Sequence, residues 1–82
     1  MPVTYQNIPP DQLRETLLQL IHSSEQSRTH SLVQAELERA ALQHFEGEEH
    51  EHRYENIVSL EREAEFENKK IEVAKAKLAE LD

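Results

Sequence analysis

EEHEHRYENIVSLEREAEFENKKIEVAKAKLAEL, residues 48–81, is the stretch that decides the fold. Within it Ile57, Leu60, Ala64, Glu67, Ile71, Ala74, Leu78 and Leu81 recur at alternating steps of three and four. That spacing keeps one narrow stripe of side chains on a single side of a helix, the pattern of coiled-coil or tight bundle packing. Glu67 is the only polar member of the stripe. The segment predicts one long helix from about residue 48 to residue 81.

Upstream of this stretch stands Gly47, the only glycine, and the three prolines are confined to positions 2, 9 and 10. The residues after Pro10 are dominated by Leu, Ala, Glu, Gln, Lys and Arg, the strong helix formers. Strands need β-branched and aromatic residues in alternation between turn signals, and no such run occurs. The expected class is all-α.

A first helix has a readable start. Pro10 suits the first helical position, where its missing N–H costs nothing. Asp11 follows in the first turn, where the helix dipole favours a negative charge. Ile8 and Leu13 then hold the two positions of a hydrophobic staple. Leu13, Leu17, Leu20 and Ile21 continue as an apolar stripe. From His22 to Ser31 the sequence is HSSEQSRTHS, without an apolar residue. Ser and Thr compete for backbone hydrogen bonds and favour caps and turns. Ser31 and Gln34 resemble a capping box that opens another helix, with Leu32, Val33, Leu37, Ala40, Ala41 and Phe45 as its apolar residues. The opposite reading is one helix running straight through, since neither Gly nor Pro stops it. The expected organisation is an extended arm over residues 1–9 and a single helical domain over 10–82. Its helices lie at about 10–22, 31–46 and 48–81, the first two being free to run together.

Two arrangements fit these helices. Folding back near Gly47 pairs residues whose numbers sum to about 94, so that Leu13 meets Leu81, Leu17 meets Leu78 and Leu37 meets Ile57. The same sum sets Glu67 opposite Ser27 and Arg28, which gives the polar seam position an ion partner. In the other arrangement one helix continues from about Ser31 to Leu81 and pairs in trans, because a lone helical glycine costs only about 1 kcal/mol. A pair of helices without disulfide or metal buries too little to stand alone. The expected fold is a long helical hairpin, antiparallel and coiled-coil-like, assembling into a homo-oligomeric helical bundle. Leu13, Leu17, Leu20, Leu37, Ile57, Leu60, Ile71, Leu78 and Leu81 are the expected interface. Phe66 and Val73 lie on the far side of the last helix, either as scattered surface residues or as a surface for a partner.

The 82 residues carry 17 acidic and 9 basic side chains, a net charge of −8, and no cysteine. Without cysteine there are no disulfides, thiolate metal sites or cysteine nucleophiles. The negative balance argues against direct nucleic-acid binding, which takes clustered Lys and Arg. The N-terminal MPVTYQNIPP has no basic-then-apolar leader, and no apolar run has the length of a membrane span. A cytoplasmic location is expected. Residues 46–55 form an acidic pole, and Lys69, Lys70, Lys75 and Lys77 a basic counterweight. Such a pole is either a solvated face or a means of steering a partner with a basic surface.

The densest polar constellation is HFEGEEHEHRYE, His44 to Glu55. Glu49 and His52 have the Glu-x-x-His spacing with which a helix offers two ligands to a di-iron or di-manganese site. Glu36 or Glu38 could add a carboxylate across a hairpin, and this donor set suits Fe, Mn or Zn. One such spacing arises readily by chance in so acidic a chain. Other templates fail: His50-Glu51-His52 lacks the second histidine of a metalloprotease motif, no phosphate loop exists, and no serine sits in a strained elbow. The five histidines also allow an assembly that responds to pH, beside the plainer reading of surface histidines. The expected function is non-catalytic: self-association and protein–protein interaction, as an adaptor, regulator or inhibitor. The alternative is an oligomeric ferritin-like metal-binding protein.

Overall fold

Pro10 opens a helix at its first position, with Pro9 as the cap and Asp11 in the first turn. This helix, α1, runs from Pro10 to Ala41, and a second, α2, from Gly47 to Glu80. The computed structural model describes residues 2–82, and among them there is no strand. The two helices pack side by side as a hairpin measuring 56 × 25 × 14 Å. A single helix of the same length would extend roughly 100 Å at 1.5 Å per residue. The chain therefore turns back, and the arrangement in trans through an unbroken helix is set aside.

The reversal is built from three pieces. A 3-10 turn over Leu42–His44 tightens the end of α1, and Phe45 and Glu46 are extended. Gly47 then takes φ +63°, the only positive φ among the described residues. Left-handed backbone is cheap only for glycine. Arg53 braces the turn from α2. Its guanidinium lies 4.5 Å from the centroid of the Phe45 ring, with Nη1 3.5 Å from Glu38 and Nε 3.4 Å from Glu49.

The α2 stripe behaves as its spacing predicts. Ile57, Ala64 and Ile71 are buried, and Leu60, Glu67, Ala74, Leu78 and Leu81 are half-buried. Ile57 and Ile71 are the largest side chains fully removed from solvent. Each stabilises the pair by roughly 2 kcal/mol through its buried apolar area.

The α1 side of the seam differs from expectation. It descends through Leu13, Leu17, Ile21, Ser24, Arg28, Ser31, Ala35, Glu38 and Leu42, all buried or half-buried. Ser31 is therefore not the cap of a new helix but a buried interior residue, 8% exposed. The stretch from His22 to Ser31 stays helical, with Ser24, Arg28 and Ser31 turned toward α2 and His22, Ser23, Gln26, Ser27, Thr29 and His30 exposed. Arg28 Nη1 donates to Asn68 Oδ1 at 2.6 Å, so its cross-helix partner is Asn68, not Glu67. Leu20 and Leu37, expected in the seam, are 56% and 65% exposed, and Leu32 and Val33 also face solvent. Rotation by 100° per residue explains this, since a stripe that carries Ile21 and Glu38 turns their neighbours outward.

The N-terminal arm is not simply extended. Residues Tyr5–Asn7 form a 3-10 turn, closed by the Thr4 N–H donating to Asn7 Oδ1 at 2.8 Å and the Asn7 N–H donating to the Thr4 carbonyl at 2.9 Å. Polar links tie the helices together along their length, among them Arg14–Asp82, Arg28–Asn68, Arg39–Glu61 and Arg53–Glu38. Their residue numbers sum to between 91 and 100, bracketing the expected 94. Exposed ion pairs contribute at most about 1 kcal/mol each. Their main effect is on register.

Candidate interaction surface

The cluster from His44 to Glu55, on which the alternative metal reading rests, includes the brace that Arg53 forms at the turn. Glu38 and Glu49 both lie within ion-pair distance of Arg53. Glu36 and His52 are exposed. Among the described residues no group of three or more His, Asp or Glu side chains is placed to hold a metal ion. All five histidines, at 22, 30, 44, 50 and 52, are exposed.

Glu67, the polar member of the α2 stripe, is half-buried against α1. The Ser24 hydroxyl from α1 donates to it, and Lys70 one turn on lies 3.2 Å away. Partial removal from water works against these contacts. The hydrogen bond from Ser24, seconded by Lys70, holds the carboxyl below its ordinary range. This couples the polar member of the α2 stripe to the polar centre of α1.

Of the expected interface, the hairpin itself uses Leu13, Leu17, Ile57 and Ile71 fully and Leu60, Leu78 and Leu81 in part. Leu20 and Leu37 remain outside it. The expected partner surface is different in kind. Phe66 and Val73 are 62% and 60% exposed and line a shallow, open, largely apolar groove of about 420 Å³ with Leu17, Lys69, Lys70, Ala74 and Lys77. A second groove beside it is lined by Leu20, Ile21, Ser24, Lys70 and Ala74. Lys70 and Ala74 belong to both, so the exposed Leu20 extends the same patch across α1. Lysines edge it: Lys70 Nζ lies 5.4 Å from the Phe66 ring centroid, and Lys77 Nζ lies 5.9 Å from that of Tyr5. The Lys77–Tyr5 contact brings the N-terminal arm to the rim.

Phe66 and Val73 stood out in the sequence because they break the α2 period, and they are exposed. Sequence reasoning missed Leu20, which seemed to belong to the seam, and it missed Tyr5, which is remote in sequence and reaches the patch only through the hairpin. Among the described residues no helix is long and apolar enough to cross a membrane. Set against known proteins, the chain matches no family model, no curated protein and no solved structure.

Proposed function

We propose that this chain acts by binding other polypeptides, copies of itself among them, and carries out no chemistry of its own. One observation supports the reading above the rest. After the helices have covered each other's seam, Phe66 and Val73 remain exposed in a lysine-edged apolar depression, and Leu20 in a groove that shares Lys70 and Ala74 with it. Aromatic and aliphatic anchors inside a charged rim are the composition of protein interfaces. The elements around them are helical, so these side chains are presented from regular backbone.

Replacing Phe66 with a photoreactive phenylalanine analogue tests this in living cells, with the same analogue at solvent-facing Thr29 as control. Discrete adducts at position 66 and none at 29 are the expected result. An adduct pattern no different from the control would remove the reading.

A further inference from the structure

The outward side of α2 carries its charges in two blocks. Glu48 and Glu55 lie toward the turn, Lys70 and Lys77 toward the free end, and Phe66 and Val73 stand among the lysines. At 3.6 residues per turn these six fall within an arc of about 60°, and all six are exposed. Glu48 and Glu55 have no ion partner among the described residues, while Lys70 and Lys77 have as ion partners only Glu67 and Glu80 on their own helix.

We propose that this stripe receives a second copy of the same chain, laid antiparallel across it about a two-fold axis between Arg62 and Glu63. The proposal rests on the interaction reading above and names the occupant. The axis brings together residues whose numbers sum to about 125. Glu48 of one copy meets the partner's Lys77, Glu55 meets the partner's Lys70, and Glu63 meets the partner's Arg62. Each pair forms twice, because a two-fold interface repeats every contact. Ser59 lies across from Phe66, and its small side chain leaves room for the ring. A single register thus pairs every one of these charges with its opposite. A parallel arrangement does the reverse, setting Glu48 on Glu48 and Lys77 on Lys77, which repels.

Surface area favours a covering of this size. A compact protein of this mass exposes about 5,100 Å², whereas the hairpin exposes 6518 Å². That surplus is larger than the ~800 Å² per partner that a standard interface covers.

Sedimentation equilibrium of the full chain, from micromolar to millimolar concentration, provides the test. The expected result is a monomer–dimer equilibrium in which K70E/K77E weakens association on the order of a hundredfold, four attractive pairs having become repulsive. Adding Glu48→Lys and Glu55→Lys to that variant restores association to within about tenfold of the original, since only the antiparallel register sets these residues against each other, so that the second pair of changes recovers what the first removed. Should the fourfold variant lose its helicity, the two double variants are mixed instead. Each alone is expected to stay monomeric and the mixture to form a heterodimer.

A chain that remains monomeric at millimolar concentration overturns the proposal. So does a dimer indifferent to K70E/K77E, a folded swap that fails to recover, or a mixture that does not associate. Phe66 photoadducts made only with other proteins also overturn the second copy as occupant, yet leave the interaction reading standing. Absence of any Phe66 adduct defeats that reading itself, so the two failures are distinguishable.

Discussion

At the scale of single residues, Gly47 and Ile71 set the fold by opposite means. Nothing lies within 4 Å of a Cβ built on Gly47, so any cost of a side chain there comes from its φ of +63° and not from a clash. Gly47→Ala is therefore expected to lower stability by about 1 kcal/mol in urea denaturation, the ordinary price of a left-handed non-glycine residue. Ile71 is 2% exposed against α1. Ile71→Ala should remove about 2–5 kcal/mol, which for so small a core leaves the chain largely without its helical circular dichroism signal. A variant that kept full helicity and its melting temperature would contradict the placement of Ile71. Ile71 was legible in the sequence because burial repeats with the helix period. Gly47 was only half legible. HFEGEEHEH contains none of the Asn, Asp, Ser or Pro that mark turns, and the reversal is achieved with Phe45 under Arg53, a contact that exists only once the chain has folded back.

Between elements, α1 and α2 contribute unequally to their shared seam. The α2 side is a run of aliphatic residues around Glu67, and the α1 side is interrupted by Ser24, Arg28, Ser31 and Glu38. That inequality explains why α2 was readable throughout while α1 stayed open between one helix and two. Hydrophobic periodicity fails where the facing residues are small or hydrogen-bonded. Thr29, on the exposed side of α1 midway along this stretch, tests its continuity. Thr29→Ala is expected to raise stability by about 0.5 kcal/mol if the backbone there is helical, and a neutral or destabilising result in thermal melts would point to a break. The Ser24–Glu67 contact gives the helix pair a pH dependence of defined sign. Glu67 has its folded pKa lowered, so its stabilisation is fully present above the ordinary carboxylate range. It is lost as pH falls through the lowered value. Glu67→Gln should flatten the decline of melting temperature in acid, and parallel curves for the two proteins would rule out the contribution.

For the whole molecule, the hairpin has a radius of gyration of 18.1 Å, against about 12 Å for a compact globule of this length. The cross-helix links bridge sequence separations that grow steadily with distance from the turn, from 15 at Arg53–Glu38 to 22, 40 and finally 68 at Arg14–Asp82. Closing a longer loop costs more chain entropy. The pair should zip from Gly47 outward and fray from the opposite end. Amide hydrogen exchange is expected to be slowest near Ile57 and fastest near Leu13 and Leu78; uniform protection along α2 would count against this order. The apolar depression formed by Leu17, Phe66, Val73 and Lys77 lies toward that loosest end. Anything that settles there acts as a clasp on the part of the molecule that opens first, so occupancy of the surface and closure of the two helices become one linked equilibrium.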